Sequence, residues 1–257
     1  MFIEINLPDV IDTTRATIVH SHMAVFRLTD HIAFPPPEMA EENGLLAVGG
    51  DLSPARIVAA YTEGIFPWYS EGDPILWWFT SPRLVLFPYE LKVSKRLWRY
   101  YRKTRQTFTI NRAFDEVIVA CGESRRSTSE DTWITADISR SYKNLHRLGS
   151  AQSVEFWEQA ELVGGLYGIA LGKVMFGESM FTIAANSSKF ALIQLVDFLK
   201  ANSYRLIDCQ MTTGHLVSMG ARELDGEDFR RLLNRYILST NPDKVWSHDK
   251  DNEYRNM

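Results

Sequence analysis

Cysteine is nearly absent from this chain: Cys121 and Cys209 are the only two in 257 residues. They lie far apart and in no CxxC or Cys/His spacing, which argues against a disulfide framework or a zinc site and points to a reducing compartment. Long apolar runs are missing too. No stretch reaches the roughly 18 residues a transmembrane helix needs. The opening MFIEINLPDVID has no basic segment ahead of an apolar one, so no secretory signal is expected. Gly49-Gly50 fits neither GxxxxGK[ST] nor GxGxxG, and neither GxSxG nor HExxH occurs. Residues 1–22 are expected to be a dispensable extension ahead of Met23. Their His20 and His22 read as solvent-exposed histidines and not as a metal pair.

What is present is ordinary in bulk and uneven in detail. A hydrophobic fraction of 45% and a charged fraction of 23% suit a soluble globular chain, long enough for one large domain or two small ones. The net charge of −4 speaks against nucleic acid until its distribution is considered. From Lys92 to Arg105 the chain reads KVSKRLWRYYRKTR, which has no acid, while acids gather at Glu38–Glu42 and Glu223–Asp228. A basic stripe on a mildly acidic protein fits a polyanion at one face. The block from Asn43 to Pro82 concentrates Gly-Gly, Pro-containing turns, Trp68, Trp77 and Trp78. Such a surface suits a flat ligand.

Local signals place the elements. Phe34-Pro35-Pro36-Pro37 reads as an extended strap. Ser53-Pro54 opens a helix that Gly64 closes. Ile75–Phe79 and Leu84–Phe87 read as strands. Ser94 caps a basic helix whose inner face is Leu97, Trp98 and Tyr101. Asn111 is expected to cap a second helix, with Phe114, Val117, Ile118 and Cys121 inward and Gly122 at its end. Glu123–Asp131 reads as a polar loop, and a third helix covers Asp137–Leu148. Period two then takes over in Ser153–Trp157, Glu161–Leu171 and Lys173–Thr182, joined by hairpin-length turns. Gly164, Gly165 and Gly168 mark a bulge or a close approach by a ligand backbone. A helix from Asn186, a strand over Arg205–Met211 and a helix over Asp225–Tyr236 complete the pattern. This order indicates α+β, with a dispensable extension at 1–22, a small N-terminal domain at 23–88 and a larger domain at 89–257.

Three polar residues stand where buried strands would not choose them. Glu178 interrupts VMFGESMF, and Asp208 and Gln210 lie two apart in LIDCQM, which predicts a shared strand face. A buried unpaired carboxylate costs several kcal/mol or shifts its pKa, so these residues need partners or a purpose. The three together favour a site. Leu166, Met180, Leu192, Leu195 and Ile207 are candidates to line a pocket beside them, although their spacing alone also fits plain core packing.

NGLLAVGGDLSPARIVAAYTEGIFPWYSEGDPILWW, TWIT, LVGGLYGIALGKVMFGESMF and LIDCQ, in that order, closely resemble the leucyl/phenylalanyl-tRNA–protein transferase family. The resemblance covers about Phe34 to Tyr236. It implies transfer of Leu, Phe and less readily Met from aminoacyl-tRNA to the α-amine of proteins beginning with Arg or Lys, which marks them for N-end-rule degradation. It further implies a cytoplasmic monomer, no metal or nucleotide cofactor, and an acetyltransferase-like (GNAT-like) C-terminal domain after a small N-terminal α/β domain. By the same resemblance Asp208 polarises Gln210, which orients the attacking amine. Glu178 holds the acceptor's N-terminal region, and Trp68 and Trp133 lie near the terminal adenosine. The helix residues Lys95, Arg96, Arg99, Arg102 and Lys103 are placed to take tRNA phosphates. The pocket position often occupied by Phe is Leu195 here, which bears on the preference between Leu and Phe. A rival acetyl-CoA-dependent activity would need [QR]xxGx[GA], which does not occur.

Overall fold

The computed structural model describes residues 25–103, 107–126, 132–237, 246 and 253–254. The expected extension at 1–22, residues 127–131 of the expected polar loop and most of the C-terminal tail lie outside them. In chain order the elements are β1 (Phe26–Leu28), β2 (Leu45–Gly49), α1 (Pro54–Thr62), β3 (Phe66–Pro67), β4 (Leu76–Trp78), β5 (Arg83–Leu86), α2 (Lys95–Tyr101), β6 (Thr107–Ile110), α3 (Phe114–Arg126) and α4 (Ala136–Arg147). They continue with β7 (Ala151–Glu158), β8 (Glu161–Leu171), β9 (Val174–Thr182), α5 (Ser187–Ala201), β10 (Leu206–Gln210), α6 (Gly214–Ser218), β11 (Arg222–Leu224), α7 (Gly226–Tyr236) and β12 (Glu253–Tyr254). The mixed α+β expectation holds.

Two sheets carry the fold. Four strands pair in the order β1-β2-β4-β3, and eight in the order β11-β5-β10-β9-β8-β7-β6-β12. β5 therefore belongs to the larger sheet, although it precedes residue 88. A single core runs across both sheets, joining Tyr61, Phe66 and Trp77 to Phe114, Tyr142, Tyr167, Phe176 and Phe229. A second core lies on the other face, where Leu166 of β8 and Met175 of β9 meet Leu192 and Leu195 of α5. The central strands are thus covered on both sides, which is why β8 and β9 read as near-continuous apolar runs.

Caps form where short polar side chains can take an exposed N–H. Ser53, Ser94 and Thr135 accept from Arg56, Leu97 and Ile138. Asn111 does something else: it sits at φ 61°, its Nδ2 donates to Gln152 and its Oδ1 accepts from Ser153 N. It ties the turn before α3 to β7. α3 also runs past Gly122 to Arg126, so the glycine is no terminus. On α2 Tyr101 is buried, but Trp98 is 41% exposed. Trp98 stacks on Tyr101 and does not join the inner face.

The glycines of β8 are needed by the chain itself. A Cβ on Gly164 would lie 2.3 Å from Ser187 Oγ, and one on Gly168 would lie 2.1 Å from the Phe176 carbonyl oxygen. Gly164→Ala is expected to destabilise the fold by about 1–3 kcal/mol through overpacking, read as a lowered urea midpoint. An unchanged midpoint would mean the α5 N-terminus moves freely.

Candidate functional site

Two one-residue bulges build the site. On the β8–β9 ladder Gly168 pairs with Gly177 and Tyr167 with Ser179, which leaves Glu178 as the extra residue. On the β5–β10 ladder Asp208 pairs with Val85 and Gln210 with Leu84, which leaves Cys209 extra. A bulge bends its strand and re-aims the side chains beyond it. The parallel pairing of β9 with β10 ends at Phe176 and Asp208. Glu178 and Gln210 each lie two residues past that point, and Gln210 Nε2 donates to Glu178 Oε1 at 3.1 Å across the gap.

The bulge at Cys209 corrects the shared-face expectation. Asp208 does not point the same way as Gln210: it is fully buried and does not line the cavity into which Gln210 faces. Its carboxylate accepts from Arg83 Nε at 2.8 Å and Arg83 Nη2 at 2.6 Å. Asp208 Oδ1 also accepts from the backbone N–H of Gln210 at 2.9 Å. Gln210 has φ 60°, a left-handed conformation uncommon for a residue with a side chain. Asp208 therefore meets Gln210 through the backbone and holds that conformation in place. The Arg83 guanidinium is itself held between the rings of Phe66 and Phe229, 4.8 Å from each centroid.

Glu178 is enclosed from behind by two tyrosines. Tyr61 Oη donates to its Oε1 at 2.7 Å, Tyr142 Oη lies 3.2 Å from Oε2, and the two hydroxyls are 2.6 Å apart. Both hydroxyls can donate to the carboxyl, Tyr61 to Oε1 and Tyr142 to Oε2. Burial pushes Glu178 up to about 8 against the pull of the two hydroxyls. Glu178 therefore holds its proton more tightly than an ordinary carboxyl does.

A cavity of about 340 Å³ opens in front of these groups. All five expected pocket residues line it: Leu166, Met180, Leu192, Leu195 and Ile207. Glu178, Gln210, Trp68 and Trp133 line it as well. Trp68 is 38% exposed on the outer wall, while Trp133 is buried. Ser179 is among the lining residues, and its buried Oγ has no hydrogen-bond partner among the described residues. The cations of α2 are not gathered here. Lys95, Arg96, Arg99, Arg102 and Lys103 are solvent-exposed, and only Arg96 borders a neighbouring cleft. Sequence reasoning missed Arg83, Tyr61, Tyr142, Phe66 and His215. Each read locally as a strand end, a helix core residue or a loop residue. The only available signal was that the buried acids required partners.

With this geometry in hand, comparison with known proteins is informative. The model of the leucyl/phenylalanyl-tRNA protein transferase family matches residues 85–234, and that of its N-terminal domain matches residues 50–81. The chain is 53% identical over 225 residues to a leucyl/phenylalanyl-tRNA–protein transferase of Desulfotalea psychrophila, covering 88% of this chain and 99% of that protein. It is 54% identical over 224 residues to one from Syntrophobacter fumaroxidans, covering 87% and 96%. A third, from Methylococcus capsulatus, is 50% identical over 218 residues, covering 84% and 92%. Matches of this extent, over both sheets and through both bulges, place the chain in the leucyl/phenylalanyl-tRNA–protein transferase family.

Proposed function

We propose that this protein transfers leucine and phenylalanine from aminoacyl-tRNA to the N-terminal amine of proteins, marking them for N-end-rule degradation. Family membership supports the activity, and one observation carries the assignment of the site: an apolar cavity ending on Glu178 and Gln210. The apolar part suits a leucyl or phenylalanyl side chain, and adaptable Met180 suits methionine. Trp68, exposed on the outer wall, offers a face to the terminal adenine, where stacking contributes about 1–3 kcal/mol per base, and buried Trp133 lines the same cavity.

In the reaction the amine nitrogen attacks the ester carbonyl. The C–N bond forms, the bond to the tRNA 3′-oxygen breaks, and that oxygen takes up a proton from the amine. Glu178 fixes the NH2 end of Gln210, leaving the amide oxygen to accept from the attacking amine. An amide is a poor base, so Gln210 acts by orientation. Asp208 is a positioning residue acting through the Gln210 backbone. Glu178, with both oxygens engaged, is suited to holding Gln210 and, through it, the acceptor's amine. Selection of acceptors beginning with Arg or Lys, a monomeric state and cytoplasmic location belong to this proposal. No helix among the described residues is long and apolar enough to cross a membrane.

A GNAT-like larger sheet is also proposed, supported by the parallel β9–β10 pair that parts beside the site within an otherwise antiparallel sheet. The division between two units is proposed near residue 83 instead of 88, because β5 pairs in the larger sheet.

The test is label transfer from Phe-, Leu-, Met- and Ile-tRNA to peptides beginning with Arg, Lys or Ala. Transfer of Phe and Leu but not Ile to the basic peptides is expected, and no transfer from any donor would refute the reading. Leu195→Phe narrows the pocket and is expected to shift the Phe/Leu ratio in kcat/KM toward Leu by no more than about tenfold. An unchanged Phe/Leu ratio would remove Leu195 from the pocket wall.

A further inference from the structure

A second cleft, of about 620 Å³, lies next to the aminoacyl cavity, and His215 of α6 borders both. Lys92, Arg96 and Lys189 line it, with the rings of Tyr100 and His215 among them and no acidic residue in the lining. None of these three cations is ion-paired among the described residues. Tyr100 is 51% exposed. Arg96 lies over its ring at 5.8 Å. Burial and the neighbouring Lys189 charge lower the His215 pKa.

Positive charge interleaved with exposed rings is the chemistry that holds single-stranded nucleic acid, with phosphates on the cations and bases on the ring faces. It differs from the other cations of α2, which do not line this concave surface. A donor whose terminal adenosine is in the aminoacyl cavity must leave with its 5′ side somewhere, and His215 is where the two spaces join. We propose that this cleft binds the unpaired nucleotides immediately preceding the terminal adenosine of the donor, with Lys92 and Lys189 on their phosphates and Tyr100 and His215 on their bases. The inference rests on the aminoacyl-tRNA reading above. It assigns the cleft to the single-stranded 3′ end and not to the acceptor-stem duplex.

The test uses three donors of one amino acid: 3′-phenylalanyl-adenosine, phenylalanyl-CCA trinucleotide and Phe-tRNA, each with an Arg-initiated peptide. In the wild type the KM is expected to fall at least about tenfold from the adenosine to the trinucleotide, the size of one base and one phosphate contact. Lys92→Ala with Lys189→Ala is expected to erase that step while leaving transfer from phenylalanyl-adenosine unchanged. The salt slope for the trinucleotide should flatten by about 1.4, two phosphates at about 0.7 each. No step in the wild type, or a step that survives in the double variant, overturns the proposal. So does an equal rise in KM for phenylalanyl-adenosine, which would mark the lysines as structural. If the wild type transfers from none of the three donors, the aminoacyl-tRNA reading itself fails.

Discussion

Asp208→Ala is expected to lower kcat for transfer by about a hundredfold or more, the cost of misplacing a reacting group by about 1 Å. The KM for Phe-tRNA should stay near the wild-type value, because Asp208 does not line the cavity. The same substitution leaves the fully buried Arg83 without its bidentate partner. Stability should therefore fall by about 3–5 kcal/mol. These two losses can be separated. The double change Arg83→Met with Asp208→Leu replaces a buried ion pair by apolar groups, which restores stability in many proteins. Here it should recover the denaturation midpoint but not kcat, since nothing then accepts the Gln210 N–H. A folded Asp208→Ala protein with kcat within about threefold of wild type would show that Gln210 holds its φ 60° unaided.

The second large effect concerns Glu178 and pH. Burial pushes its folded carboxyl up to about 8, against an ordinary value of 4.5. A raised carboxyl binds its proton in the folded state while the unfolded chain has already lost it. Across that window unfolding releases a proton, so stability falls as pH rises, by about 1.4 kcal/mol per pH unit for one proton. Below the unfolded value and above the folded one this contribution is flat. Glu178→Gln mimics the neutral carboxyl: its NH2 can donate to Tyr142 and its oxygen can accept from Tyr61. Relative to wild type, the variant should gain stability steadily between pH 5 and 8 in urea titrations and retain most of its transfer activity at pH 7. Parallel stability curves, or loss of activity with the fold intact, would instead mean an ionised Glu178 acting by its charge.

Much of this was legible from the chain, and the reasons differ from element to element. β8 announced itself to the residue because a continuous apolar run is bounded by hairpin turns at both ends. α1 was found to within a residue at its end because Ser53, Pro54 and Gly64 act within one turn of its ends. The five pocket residues shared a cavity because each belongs to an element whose inner face is set by periodicity. The shared face of Asp208 and Gln210 failed for a tertiary reason. The extra residue at Cys209 is defined only by the pairing of β10 with β5, some 120 residues earlier in the chain. The partners of Asp208 and Glu178 were hidden in the same way. Arg83 is 125 positions from Asp208, and Tyr61 is 117 from Glu178. No local pattern encodes such a meeting. The short strands β1, β3 and β11 escaped notice because two or three residues cannot display a period.

The sandwich around Arg83 has a consequence in time as well as space. Phe66, Arg83, Asp208 and Phe229 meet at one guanidinium, yet ribosomal synthesis delivers them over most of the length of the chain. A nascent chain that ends before Phe229 lacks one wall of the clamp that keeps Gln210 in place. It also lacks α7, which forms part of the core beneath both sheets. Competence is therefore acquired late in translation. An unfinished chain still on the ribosome, surrounded by charged tRNA, has no assembled site with which to draw on it.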